Sequence, residues 1–258
     1  MTEHLKEKRI WELDFLRGIA LVLMIYFHII YDLKDLFNIN MDQYNMAYNI
    51  GINFAIGRMA AILFMLISGI SCYLSRNNVK RGLKVLGLAM IITIVTHLYD
   101  PNQGIKFGIL HLLGTSMLLF PLLRKLNVYY LFTLATVLIF IQYYTSRMIV
   151  TFDYLFMFGI TSNTFISSDY YPLVPWLGIF IYGILLGKLL YNQRRSIFNF
   201  TAADNILSKT GSHTLIIYFI HQPIIIAVLT IITRLLKWFL NSLIACLKYI
   251  LYLNIYSY

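Results

Sequence analysis

Long apolar stretches separated by short polar connections dominate the chain. Runs long enough to cross a bilayer as helices lie near residues 13–33, 50–74, 83–99, 107–123, 128–145, 172–191, 214–233 and 235–256. About 20 apolar residues at a rise of about 1.5 Å each span the hydrocarbon core. Lys237, Asn241 and Lys248 interrupt the last run, where an interfacial helix is the alternative. Between the fifth and sixth runs, residues 146–171 form a long connection with a short apolar insert, residues 154–160, that suits a re-entrant or surface helix. No internal repeat, Gly/Ser linker or soluble module stands out. The pattern predicts an all-α, polytopic transmembrane helical bundle of about eight spans (seven to nine), one domain over residues 1–258.

Composition narrows the class further. Hydrophobic residues make up 59% of the 258 positions and charged residues 12%, with a mean hydropathy of +0.71. No soluble domain of this length needs so much apolar material. A net charge of +10 would suit nucleic acid, but the cations cluster at the ends of apolar runs, so topology explains them better. With the N-terminus in the cytoplasm, thirteen Lys and Arg fall in inside loops and five in outside loops. Inverting the chain reverses that ratio, so the N-in arrangement is expected, with residues 1–12 cytoplasmic and 146–171 extracytoplasmic. No cleavage site follows the first run, which reads as a retained helix of a multi-pass protein of the cell membrane. Cys72 and Cys246 have neither the spacing nor the context of a metal site or a disulfide framework.

Against that apolar background, the ionisable residues inside the runs carry the chemical information. Arg17 and His28 lie eleven positions apart, which on a helix brings them within roughly 20° of one face and about 16 Å apart along the axis. Asp32 follows one turn after His28 on the same stripe and is placed to fix the tautomer of its ring. Ionisable groups at this depth are costly unless they face protein or a wet cavity, so the stripe is a candidate site. His28 reads as a general base and Arg17 as an oxyanion grip, with a structural ion pair to Asp14 as the alternative for Arg17. Arg76, Lys80 and Arg81, with Lys84, open the third run and could hold a polyphosphate. Arg58 could stabilise an anion or pair with Asp32, and His111, Tyr218 and His221 could line a site near His28 or simply pack. No His-x-x-x-His or Glu-x-x-His spacing points to metal, and none is expected.

The Arg17-x10-His28 spacing resembles the signature of the membrane-bound acyltransferase-three superfamily. The string RIWELDFLRGIALVLMIYFHIIYDL (9–33) more closely resembles the catalytic-domain family named for heparan-alpha-glucosaminide N-acetyltransferase. Further matches follow in order at LFMLISGISCYLSR (63–76), FGILHLLGTSMLL (107–119), DYYPLVPWLGIFIYGILLGKLL (169–190) and GSHTLIIYFIHQP (211–223). The resemblance implies transfer of an acetyl or short acyl group from cytosolic acyl-CoA to an extracytoplasmic hydroxyl or amine. It makes His28 the catalyst with Asp32 behind it, and Arg17, Arg76, Lys80 and Arg81 the acyl-CoA contacts. The chain is much shorter than the lysosomal enzyme that names the family and lacks its lumenal insertion. The acceptor expected is therefore a surface sugar or glycolipid rather than a glucosaminide.

Two mechanisms fit: direct attack with His28 as base, and an acyl-histidine intermediate. The expected partners are acyl-CoA, the acceptor and the lipid bilayer, with no nucleic acid, and a homo-oligomer is compatible with the sequence. Acceptor recognition would fall to loops 34–49 and 146–171, where Asp42, Asp153, Asp169, Tyr44, Tyr48, Tyr170 and Tyr171 offer sugar-compatible groups. The rival reading is a proton-coupled transporter or flippase, which uses intramembrane Arg and His equally well. The missing repeat and the absence of paired broken helices count against it.

Overall fold

The structure, a computed structural model, describes residues 10–37, 51–102 and 104–255. Lys6, Lys8 and Arg9 of the segment expected to be cytoplasmic, and Asp42, Tyr44 and Tyr48 of the loop expected to be outside, lie outside the described residues. Eight α-helices follow one another among the described residues: α1 (Trp11–Asp35), α2 (Gly51–Leu74), α3 (Asn78–Tyr99), α4 (Ile109–Leu123), α5 (Val128–Thr145), α6 (Leu173–Leu190), α7 (Ile206–Ser212) and α8 (Thr214–Ile255). Among the described residues, six are long and apolar enough to cross a membrane, and α4 is a shorter apolar helix. The protein is an all-helical, polytopic membrane bundle.

Local chemistry sets several of the helix ends. Glu12 and Asp14 occupy the first turn of α1 and Lys34 its last, each complementing the helix dipole. Asn127 and Asn205 cap α5 and α7, their side-chain oxygens accepting from Tyr130 N at 3.0 Å and Ser208 N at 2.8 Å. At the C-terminal end the structure departs from the expected pattern. Residues 214–233 and 235–256 do not form two spans, nor does the second lie apart as an interfacial helix. They belong to the 42-residue α8, about 63 Å long at 1.5 Å per residue. Lys237, Asn241 and Lys248 lower the hydropathy, but Lys and Asn do not break a helix as Gly or Pro does.

The described residues form two compact units: 10–23 with 58–214, and 24–37 and 51–57 with 215–255. In the first, α3 packs on α4, α5 on α6 and α4 on α6, around a core that includes Met65, Ile67, Leu112, Leu131, Phe180, Ile181 and Ile184. Helices α2 and α6 meet at Gly69 and Gly183, where a Cβ on either would run into the other helix's backbone. Lipid supplies no hydrophobic drive between spans, so such close backbone approach is what holds them.

Also in the first unit, α7 lies against the start of α1, backbone on backbone. A Cβ on Gly18 would meet the Leu207 carbonyl, and one on Gly211 the Asp14 carbonyl. Beside this contact, Trp11 packs against Phe198 and Phe200 and donates to the Phe200 carbonyl at 3.1 Å. Glu12 Oε1 accepts from Ile197 N at 2.8 Å. In the second unit, the later part of α1, the start of α2 and α8 surround a small buried core that is unusually polar, with Asp32, Asn53 and His221 beside Ile30 and Ile225.

The connection between α5 and α6 holds no re-entrant or surface helix over 154–160, only a three-residue 3₁₀ turn, Phe156–Phe158. It is tied down instead by polar contacts. Phe107 and Tyr170 form a β-bridge, and Tyr171 N donates to Phe107 O at 2.9 Å. Lys106 N donates to Ser167 Oγ at 3.1 Å.

Candidate functional site

The first cluster lies in the second unit. His28 Nδ1 is 2.9 Å from the Met24 carbonyl oxygen, one turn back on α1. A carbonyl only accepts, so Nδ1 carries the proton, and when the ring is neutral Nε2 keeps its lone pair. The ring of His221 on α8 stands at 87° to that of His28, with centroids 4.8 Å apart. His221 is fixed in the same way, its Nδ1 donating to the Tyr218 carbonyl at 2.5 Å, and its Nε2 is buried without a partner. The Tyr218 ring lies 5.2 Å away. Thus His28, His221 and Tyr218, three of the residues named from sequence, lie together.

Asp32 does not hold His28, contrary to the expectation from spacing. Its two carboxylate oxygens accept from Gln222 Nε2 at 2.8 and 3.0 Å. Side chains on a helix lean toward its N-terminus, so the His28 ring meets the carbonyl behind it. That leaves the fully buried Asp32 to an amide on α8. A buried carboxylate needs a donor, and Gln222, which the sequence reading passed over, supplies it. Gln222 Oε1 is itself buried without a partner. Nearby, Tyr26 donates to the buried Asn53 at 2.8 Å.

Arg17 lies in the first unit, in the ion pair with Asp14 that was its alternative reading. Arg17 also donates to Ser71 Oγ at 2.5 Å, and Ser71 in turn donates to the Ile67 carbonyl at 2.5 Å. The guanidinium is thereby fixed in place while about a fifth of its side chain stays accessible. Arg76 and Lys80 line a groove of about 470 Å³ at the start of α3, joined by Arg124 at the end of α4; Arg81 is not among its lining residues.

The remaining candidates prove to be held by their surroundings. His111 accepts from Gly108 N at 3.2 Å through Nδ1 and lies 3.1 Å from Thr93 Oγ1 through Nε2. Both ring nitrogens are engaged, and the residue closes the first turn of α4. Arg58 lies over the Trp176 ring, 5.0 Å from its centroid. Of the loop groups read as sugar-compatible, Asp153 accepts from Ser162 N at 2.7 Å and Tyr170 donates to the Phe156 carbonyl at 2.6 Å.

Asp169 accepts from Ile109 N at 3.0 Å, completing the α4 N-terminus from across the connection. Burial pushes its carboxyl up to about 6 from 3.8, against the pull of the Ile109 N–H. A carboxyl raised in the folded state stabilises the fold most when protonated. That contribution is lost as pH rises from 3.8 through about 6. Melting temperatures followed from about pH 4 to about pH 7 are expected to fall for the wild type and to stay flatter for Asp169→Asn. Parallel profiles would remove Asp169 from the account.

Compared with known proteins, residues 9–223 match the family model described as heparan-alpha-glucosaminide N-acetyltransferase, catalytic. The matched stretch contains His28, Asp32, His221 and Gln222. No curated protein and no solved structure matches the chain.

Proposed function

Because the chain belongs to the heparan-alpha-glucosaminide N-acetyltransferase catalytic family, a family of membrane acetyltransferases, we propose that it moves an acetyl group from acetyl-CoA to a sugar or glycolipid on the opposite face of the membrane, with His28 as the catalytic residue. The reading is carried by the His28 ring. Its Nδ1 is fixed on the Met24 carbonyl, and its other nitrogen is left as a lone pair beside a second histidine. In direct transfer, the acceptor hydroxyl or amine gives its proton to His28 Nε2 as its heteroatom attacks the thioester carbonyl. The carbon–sulfur bond then breaks, and the proton passes from the imidazolium to the CoA thiolate.

The two groups that flank His28 have narrower roles. His221 Nε2 and Gln222 Oε1, both buried and unpartnered, are acceptors that would orient the O–H or N–H of the incoming acceptor. Asp32 holds Gln222 and is a positioning residue. On the donor side, Arg17 is prearranged by Asp14 and Ser71, and we assign it and Arg81 to CoA phosphates, as the bidentate geometry of a guanidinium suits.

The test is binding of acetyl-CoA to the purified protein in nanodiscs. Saturable binding is expected, weakened about tenfold in Arg17→Ala, the size of one charge-assisted contact. Absence of binding by folded wild type would overturn the acyl-donor assignment and favour proton-coupled transport.

A further inference from the structure

The groove at the start of α3 has features that a site for CoA does not require. Three cations line it, Arg76, Lys80 and Arg124, and none of its lining residues is acidic. Its floor is apolar, with Leu83, Phe120 and Pro121. Asn78 also lines it and is 5% exposed. The Asn78 amide is oriented by donating to the carbonyls of Cys72 at 2.7 Å and Ser75 at 3.1 Å. That orientation leaves its Oδ1 buried without a partner, an acceptor awaiting a donor. The first turn of α3, where backbone N–H groups favour anions, has no side-chain cap from Asn77.

The wall of the groove continues along the helix. Leu83, Met90, Ile94 and Leu98 are exposed and follow one another at intervals of about one or two turns. Gly87 falls on the same stripe, and a Cβ added there would meet nothing. In a bilayer such a face meets acyl chains, so the cations sit where those chains give way to headgroups.

We propose that this groove binds an anionic glycerophospholipid. The phosphodiester sits among Arg76, Lys80 and Arg124, a headgroup hydroxyl donates to Asn78 Oδ1, and an acyl chain follows the Leu83–Leu98 stripe past Gly87. A diester with a glycerol headgroup meets all three features, whereas the nucleotide of CoA has no use for an acyl track. Phosphatidylcholine shares the phosphodiester and the acyl chains, but its choline cation opposes the three basic groups and it has no headgroup donor for Asn78 Oδ1.

The experiment measures retention of phosphatidylglycerol and of phosphatidylcholine by the full-length protein in detergent, using native mass spectrometry, with and without CoA. Phosphatidylglycerol is expected to be retained preferentially and to be unaffected by CoA. The Lys80→Gln/Arg124→Gln protein is expected to bind it about thirty-fold more weakly, from about 1 kcal/mol per cation. Equal retention of the two lipids, unchanged retention in the variant, or displacement by CoA would each overturn the proposal. Displacement by CoA would assign the groove to the acyl donor. Loss of lipid preference with acetyl-CoA binding intact would separate this failure from that of the acyltransferase reading.

Discussion

Replacing His28 with glutamine is expected to lower acetyl transfer by about a thousandfold, within the range that positioned acid–base groups contribute. Glutamine approximates the reach of the ring, and its amide N–H can still donate to the Met24 carbonyl that now receives Nδ1–H. What it lacks is a basic lone pair where Nε2 stands. The assay follows radiolabel from acetyl-CoA into the lipid and polysaccharide fractions of membranes containing the protein. Acetyl-CoA binding, measured in parallel, should stay near the wild-type value, since the donor phosphates are assigned to Arg17 and Arg81. Wild-type transfer by His28→Gln would exclude the residue as catalyst, and loss of folded protein would make it structural. A quenched reaction adds a second readout: an acetyl mass on the peptide containing His28 would signal an acyl-histidine intermediate in place of direct transfer.

The second large effect is expected at Gln222. Its Nε2 is the donor to both oxygens of Asp32, at 2.8 and 3.0 Å, and Asp32 is 0% exposed. Truncating Gln222 leaves the buried carboxyl of Asp32 without this donor, at a cost of about 1–3 kcal/mol. Gln222→Leu should therefore lower the melting temperature sharply. Changing both residues, Asp32→Leu with Gln222→Leu, should recover much of the loss, because no buried charge then remains. A single variant as stable as wild type would show that Asp32 finds its stabilisation elsewhere. The recovered double variant, assayed for transfer, would separate the structural part of this pair from its orienting role.

The two histidines on α1 and α4 illustrate what the sequence could and could not reveal. His28 and His111 look alike in the chain, each a lone imidazole in an apolar run. The Arg17-x10-His28 spacing drew attention to the former, because helical periodicity is a local property that sequence carries directly. Yet the groups around His28, which are His221 and the Met24 carbonyl, are not the stripe that spacing described. That His111 is engaged at both nitrogens depends on Thr93, on another helix, and no local pattern encodes that. Likewise, arithmetic along one helix put Asp32 beside His28, but its partner is 190 positions away in sequence. The hydropathy runs marked α1 to α6 closely. They mistook α8 for two elements because polarity, not a helix breaker, interrupts it. They missed α7 because seven residues containing Lys209, Thr210 and two serines carry little apolar signal. Arg17 shows an intermediate case: Asp14 was foreseeable at three residues' distance, Ser71 was not.

The contact between α7 and the start of α1 bears on how such chains can be recombined. Gly18 and Gly211 each leave room for the other helix's backbone, and Trp11 and Glu12 are matched to Phe198, Phe200 and Ile197 N. Two stretches almost 200 residues apart therefore pack as one unit. A chimera that takes residues 10–20 from one relative should take 196–212 from the same parent. A crossover between them that brings a residue larger than glycine to position 18 or 211 leaves a side chain facing a carbonyl with no room for it.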